Sequence, residues 1–329
     1  MIELIGINKS YETKNHTFDV LKNINLKLDE RMCHGIVGYS GAGKSTLVRL
    51  MNGLIKPSSG KILIDQVDLF NQDKKTINAL RHQIGFVFQS HNLLSQLTVY
   101  DNVLLSLKIS KYPKKLRHSR VMEVLDRVGL QTKAFSYPKT LSGGQQQRVG
   151  IARAIATKPK YLLCDEITSA LDVTTALEVV KVLNDIQAQE QITIVFISHQ
   201  MDIILAIADQ VIVMKDGQIE EIQETKRLFI DPLSETTKML LKQGQLDDFR
   251  ADHTYQLMYD SNCVYEMVLS TMIKRYMVDL SILYAQTISI KKEIIGIMII
   301  KLKGAFLADA LSFLESHQIR VSPFNKEMS

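Results

Sequence analysis

CHGIVGYSGAGKSTLVRLMNGL (33–54) decides the fold of this chain. Cys33 to Gly38 is a short apolar run suited to a buried strand, and from Lys44 the apolar residues take helical spacing until Gly53. Between them, Gly38-Tyr39-Ser40-Gly41-Ala42-Gly43-Lys44-Ser45 satisfies GxxxxGK[ST] in the strand-to-helix context that the motif requires. Glycines at 38, 41 and 43 let backbone N–H groups turn inward around phosphate oxygens, and the helix start adds its positive end. Tyr39, Ser40, Ala42 and Thr46 complete this phosphate-binding stretch, Lys44 reaches the β- and γ-phosphates, and the Ser45 hydroxyl ligates Mg²⁺.

Outward from this stretch, KILIDQVDL (61–69), QIGFVFQ (83–89), YLLCDE (161–166) and ITIVFIS (192–198) read as strands alternating with helical patterns. That alternation predicts a parallel sheet covered on both faces. Between 93 and 140 the strand signal gives way to VYDNVLLSLKI and RVMEVLDRVGL, a helical insertion. YLLCDE is a hydrophobic strand ending in two carboxylates. Asp165 is placed to hold the Mg²⁺ shell and Glu166, one residue on, to polarise an attacking water.

Leu141-Ser142-Gly143-Gly144-Gln145 opens a further helix, QQQRVGIARAIA, and is a second anion nest. A second nest is redundant in one chain but useful if it meets the γ-phosphate held by another copy. With it the first 230 or so residues resemble an ATP-binding cassette (ABC) ATPase. The resemblance implies that Gln89 in VFQ senses the site and joins Ser45 and Asp165 at the metal. It implies that Ser169-Ala170-Leu171-Asp172 lies at the dimer contact and that His199 in ISH acts with Glu166 in catalysis. It also implies that Tyr11 stacks on adenine and that Ser142, Gly143, Gly144 and Gln145 bind ATP across a homodimer.

The rest of the chain bounds the class. At about 100–200 residues per domain, 329 residues suggest two domains. Apolar residues are 46% and charged residues 23%, as in ordinary globular proteins. The net charge of +5 is too small and too evenly spread for a nucleic-acid partner. Cys33, Cys164 and Cys263 are odd in number and scattered, which argues for a reducing compartment and against a disulfide frame or a zinc site. No run reaches the roughly 20 apolar residues of a spanning helix, and Ile294 to Ile300 stops at Lys301. MIELIGINKSYE lacks the pattern of a signal peptide. The run KYPKKLRHSR (111–120) reads first as a solvated loop and second as a surface for lipid headgroups.

After Gly217 the pattern changes. Residues 231–252 read as a polar connector with one helical piece, TTKMLLKQ, and the compact domain follows over 253–329. There TYQLMY, VYEMVLSTMIKRY, VDLSILY, EIIGIMIIKL, AFLADALSFLESH and IRVSPF give the order βαββαβ of a ferredoxin-like domain. An RNA-binding module shares that order but stacks bases on sheet aromatics, and EIIGIMIIKL is wholly aliphatic.

The wording GYSGAGKSTLVRLMNGL, HNLLSQLTVYDNV, YPKTLSGGQQQRV and LLCDEITSALD resembles the ATP-binding subunits of methionine importers, and VDLSILYAQTISIKKEIIGIMIIKLKG resembles their terminal ACT-like domain. This implies an α/β P-loop ATPase domain with a helical subdomain over 1–230 and an α+β regulatory domain over 253–329. It implies ATP and Mg²⁺ as ligands and a peripheral place on the cytoplasmic side of the inner membrane. The implied partners are a permease, an external binding lipoprotein and a regulatory amino acid at the terminal domain. Arg31 stands where these subunits usually have Gly, Gln200 where they have an acidic residue, and Ser281-Ile282-Leu283 where they have Asn-Ile-Leu. The competing readings are an ABC ATPase for another amino acid or for lipoprotein release, whose members generally lack the terminal domain, and a non-transport ABC protein. The latter needs coiled coils, zinc motifs or two cassettes, all absent from the sequence.

Overall fold

The computed structural model describes residues 1–12, 16–90, 92–241, 249, 251–259, 267–291 and 293–324. The chain divides into two compact units after Thr225, five residues before the expected end of the first domain at 230. The first unit contains β1 (Ile2–Glu12), β2 (Thr17–Leu28), β3 (Cys33–Val37), α1 (Lys44–Met51), β4 (Ser59–Ile64), β5 (Val67–Asp68), α2 (Lys74–His82) and β6 (Ile84–Val87). It continues with α3 (Val99–Ile109), α4 (Arg117–Arg127), α5 (Gly143–Ile155), β7 (Tyr161–Cys164), α6 (Val173–Glu190), β8 (Thr193–Ile197), α7 (Met201–Ile207), β9 (Gln210–Lys215) and β10 (Gln218–Glu224).

Its main sheet has the order β10-β9-β3-β8-β7-β6. β3 runs parallel to β8 and β9, β7 runs parallel to β6 and β8, and β10 is antiparallel to β9. Every residue of β3, β7 and β8 is buried, which is why these strands are mostly apolar and show no polar alternation; the exceptions, His34 and Thr193, are hydrogen-bonded.

A second sheet corrects the single-sheet expectation. It is antiparallel, in the order β2-β1-β4-β5. KILIDQVDL belongs here and not beside the phosphate loop. The signal was a period of two. Leu21, Ile24, Leu26 and Leu28 of β2 are buried while Asn25 and Lys27 are exposed, as in a strand with one covered face. Ile2 and Leu4 do the same in β1. Met51, Leu50 and Leu47 of α1 join these side chains and those of the main sheet in one core.

The turn before β3 places Arg31 at φ 62°, in the left-handed region that glycine enters freely. The turn holds because Arg31 N–H donates to Thr193 Oγ1 (2.8 Å) and Arg31 C=O accepts from Gln187 Nε2 (2.9 Å).

The helical insertion expected over 93–140 comprises α3 and α4 with short 3-10 turns, and it packs on α5. Buried Arg120 of α4 fastens it down. Its Nε and Nη2 donate to the carbonyls of Ala156 (2.9 Å) and Ile155 (2.8 Å) at the carboxyl end of α5. Glu190, at the end of α6, pairs with Arg127 and lies 3.7 Å from Arg120.

The second unit begins with α8 (Thr225–Ile230) and α9 (Glu235–Leu240), the latter inside the stretch read as a connector. Then come β11 (Thr254–Tyr259), α10 (Val268–Tyr276), β12 (Asp279–Ile290), β13 (Glu293–Lys303), α11 (Leu307–Ser316) and β14 (Arg320–Pro323). Residues 264–266 of the expected helix and Cys263 lie outside the described residues. The sheet order β12-β13-β11-β14, antiparallel throughout, is the ferredoxin-like arrangement. Leu257, Ile300 and Leu302 pack against Met272 of α10 and Leu314 of α11. β12 runs six residues beyond the expected VDLSILY. A bulge between Ile282 and Tyr284 shifts its register by one residue, pairing Ile282 with Ile300 and Tyr284 with Ile299.

Candidate nucleotide site

The parallel strands β3, β8, β7 and β6 lie side by side, and each passes at its carboxyl end into a residue singled out from the sequence. These are Gly38 after β3, His199 after β8, Asp165 and Glu166 after β7, and Gln89 after β6. The carboxyl edge of such a sheet is where open α/β folds bind ligands.

The phosphate loop is a backbone cradle. Gly38, Gly41 and Gly43 have φ of 154°, 84° and 95°. A Cβ on Gly38 would stand 2.1 Å from the Met214 carbonyl of β9, and one on Gly43 2.9 Å from the Val20 carbonyl of β2. A Cβ on Gly41 would meet nothing within 4 Å, so glycine there serves the open side of the turn. Tyr39, Ser40 and Gly41 are exposed around the opening, while Ala42 is buried beneath it. Ser45 and Thr46 are half-buried in the first turn of α1.

Lys44 is 4% exposed, and its Nζ donates to the carbonyls of Gly38 (2.8 Å) and Tyr39 (3.0 Å), 3.9 Å from Glu166 Oε1. Burial lowers its pKa below the usual lysine value, against the pull of the Glu166 and Asp165 charges. Ser45 Oγ donates to Asp165 Oδ1 at 2.7 Å. A hydroxyl and a buried carboxylate oxygen this close are hard donors of the kind Mg²⁺ takes, so these residues fit that ion.

Glu166 has φ 48°, a left-handed conformation uncommon for non-glycine residues and found clustered at functional sites. Gln89 Nε2 donates to Glu166 Oε2 (3.3 Å) and to Ser169 Oγ (3.2 Å). The structure therefore joins Gln89 to Glu166 and shows no hydrogen bond from it to the Ser45–Asp165 pair expected to share a metal with it. His199 is exposed on the loop after β8. Tyr11, 42% exposed at the end of β1, is opposite Phe18 of β2, 55% exposed, and has Lys9 Nζ 4.8 Å above its ring. Two residues on, Val20 contacts Gly43 of the phosphate loop, so an exposed aromatic pair flanks the cradle.

Sequence reasoning missed Arg49. Its Nη2 lies 3.6 Å from Asp165 Oδ2, on the oxygen that Ser45 leaves open. The signal was the spacing: Arg49 follows Ser45 by four residues on α1, hence on the same face.

Ser142, Gly143, Gly144 and Gln145 are elsewhere in the unit. Ser142 caps α5 through a capping box, its Oγ accepting from Gln145 N–H (3.3 Å) while Gln145 Oε1 accepts from Ser142 N–H (3.1 Å). Ser142 and Gly143 face solvent, and no described hydrogen bond joins this turn to the phosphate loop. Asp172 caps α6, its carboxylate accepting from Thr175 N–H (3.0 Å).

The ABC transporter family matches residues 21–169, and a family named the NIL domain matches residues 253–323. Methionine import ATP-binding protein MetN 2 of Acinetobacter baylyi is 39% identical over 341 residues, covering 100% of both chains. The chain belongs to the methionine-import ATP-binding family of ABC transporters. Other members include MetN of Helicobacter pylori J99, 38% identical with 98% of each chain covered, and MetN 2 of Pseudomonas syringae pv. tomato, 41% identical over 92% of this chain and 94% of that one. Among solved structures, the cassette MJ0796, described as dimeric and bound to ADP and Pi after hydrolysis, superposes with a TM-score of 0.63 at 35% identity. It covers 68% of this chain and 99% of its own. The first unit is accordingly an ABC ATPase cassette. The glycine expected from the resemblance at position 31 would suit the positive φ that Arg31 adopts.

Proposed function

We propose that this chain is the ATP-hydrolysing subunit of a methionine importer, working as a homodimer beneath a separate membrane permease that an external binding lipoprotein supplies. The observation that carries the reading is the pairing of a complete phosphate cradle with a solvent-facing signature turn that the same chain does not bring to it.

ATP is the substrate. The triphosphate takes the cradle N–H groups of residues 39–45, and Lys44 Nζ turns from the Gly38 and Tyr39 carbonyls to its β- and γ-oxygens. Ser45 and Asp165, with Gln89 a further donor, would hold Mg²⁺, which would supply charge neutralisation to the triphosphate. Adenine stacks on Tyr11. Ser142, Gly143, Gly144 and Gln145 of the second copy close over the γ-phosphate from the far side. Glu166 then takes a proton from the attacking water, oriented by the Gln89 amide, while His199 reaches the γ-phosphate from β8. Replacing Glu166 by Gln should lower steady-state hydrolysis by at least about 10²-fold and leave ATP binding intact, with an ATP-bound dimer accumulating. Hydrolysis at the wild-type rate would refute the role.

The permease reading draws on a cleft between the main sheet and the helical insertion. It has a volume of about 400 Å³ and is lined by Phe86 and Phe88 near β6 and by Ser106 and Ile109 of α3. Such a groove suits a short helix from a partner. Among the described residues no helix is long and apolar enough to cross a membrane, so the permease provides the passage.

The second unit is proposed as the regulatory domain, paired through an open sheet edge and taking a cytosolic amino acid, methionine, at that pairing. Ser281 and Ile282 are exposed on β12, an edge strand, which supports the pairing. Uptake of labelled methionine by a deletion strain carrying this chain tests the cargo. Calorimetry of the full-length protein with L-methionine tests the regulatory site.

A further inference from the structure

The segment joining α3 to α4 has a charge pattern that the ATPase cycle does not use. Residues 102–122 contain six Lys or Arg and no Asp or Glu. Arg120 is buried in the α5 contact and Arg117 is tied back, its Nε donating to the Tyr112 carbonyl at 2.8 Å. Lys108, Lys111, Lys114 and Lys115 are exposed and pair with no carboxylate among the described residues. Two large apolar side chains stand among them, Ile109 at 68% exposure and Leu116 at 52%. Lys111 takes φ 56° just past the end of α3, where glycine is the unstrained choice. A flexible cation is held there in spite of the backbone.

We propose that this segment, 108–117, is a lipid-contact surface that rests on the anionic headgroups of the membrane's inner leaflet. Two observations support an anionic bilayer. The first is charge complementarity: four uncompensated lysines bracket two exposed apolar side chains, the pattern of a surface that lies in the headgroup zone with its apolar residues dipping inward. The second is continuity. Ile109 and Ser110 line the cleft assigned above to the permease, so the lysines that follow sit at its rim. The inference rests on that permease reading for its geometry, since a groove seated on a membrane protein brings its rim to the bilayer. The contact would orient the cassette and raise its local concentration at the membrane without touching the nucleotide.

Flotation of the full-length protein with vesicles tests this without a permease, so failure leaves the ATPase and importer readings standing. The probes are vesicles of phosphatidylcholine alone and of phosphatidylcholine with about one third phosphatidylglycerol. Binding is expected to the anionic vesicles only, and to fall about tenfold or more between about 0.1 and 0.5 M salt as screening shortens. At about fivefold per cation, the triple variant Lys111→Glu, Lys114→Glu, Lys115→Glu should bind at least about 100-fold more weakly with unchanged basal ATPase activity. The triple Gln variant should show the same direction with a smaller loss, which guards against misfolding of the Glu variant, and Leu116→Ser should cost a few-fold. Equal binding to neutral and anionic vesicles, undiminished binding by the triple Gln variant, or no binding at low salt would each overturn the proposal. The last result would assign the lysines to an acidic protein segment.

Discussion

The chain contains two glycine-rich turns at helix starts, and they are finished to different degrees. The loop over 38–45 is complete in itself: Lys44 is buried on the loop's own carbonyls, Ser45 is bonded to Asp165, and Gly38 and Gly43 are locked against β9 and β2. The turn at 142–145 is satisfied by its own capping box and otherwise faces water. Its buried glycine, Gly144, serves packing against Thr175, while Ser142 and Gly143 are presented outward. On the proposed reading, one anion nest takes a ligand that arrives in solution, and the other takes a ligand already bound to a second copy of the chain.

The largest effect should come from Lys44→Ala, which removes a buried cation from the complete nest. Hydrolysis should fall by about 10²–10³-fold or more, with nucleotide binding weakened even in an isolated monomer. Ser142→Arg should separate the two nests. Its monomer should bind ATP at near wild-type affinity by equilibrium titration, while hydrolysis and ATP-dependent dimerisation fail. Mixing it with Lys44→Ala chains rebuilds one intact composite site per mixed dimer. If the sites act independently, about a quarter of wild-type turnover should return, since about half of the dimers are mixed and each has one working site. Turnover by a monomeric Ser142→Arg chain would break the distinction.

Smaller effects sharpen it. A methyl on Gly144 would stand 2.3 Å from Thr175 Cγ2, and Thr175 is itself bonded to Asp172. Gly144→Ala should cost about 1–3 kcal/mol in thermal unfolding. At Gly143 the nearest atom is Leu171 Cδ2 at 3.4 Å, so Gly143→Ala should stay within about 0.5 kcal/mol and affect dimer-dependent hydrolysis instead. Tyr11→Ala should be mildest, raising the KM for ATP about three- to tenfold through lost stacking with kcat unchanged.

What could be read ahead of the structure follows from where the information is held. The phosphate loop, the Asp165–Glu166 pair and the signature turn are contiguous in sequence, and their chemistry depends on local backbone shape. The βαββαβ order of the second unit was legible for the same reason, since each element contrasts with its neighbours. The antiparallel sheet was not. β1 and β2 pair across bulges that blur the alternation in residues 4–10, and β4 joins them from beyond α1. Arg49 was missed because its value lies in a contact with Asp165, 116 residues away, and its spacing from Ser45 names a helix face but no partner. The Gln89–Glu166 bond likewise depends on β6 and β7 being neighbours.

The place of β3 in its sheet also governs when the nucleotide site can exist. β3 ends at Val37, yet both of its neighbours are made from residues 193–215. At a synthesis rate of about 5–20 residues per second, the ribosome needs about 10–35 s to go from one to the other. Throughout that interval a strand that is wholly buried in the finished fold, and the phosphate loop behind it, have no partner strand, and ATP has nothing formed to bind. Nucleotide can thus stabilise the finished cassette but not the nascent one.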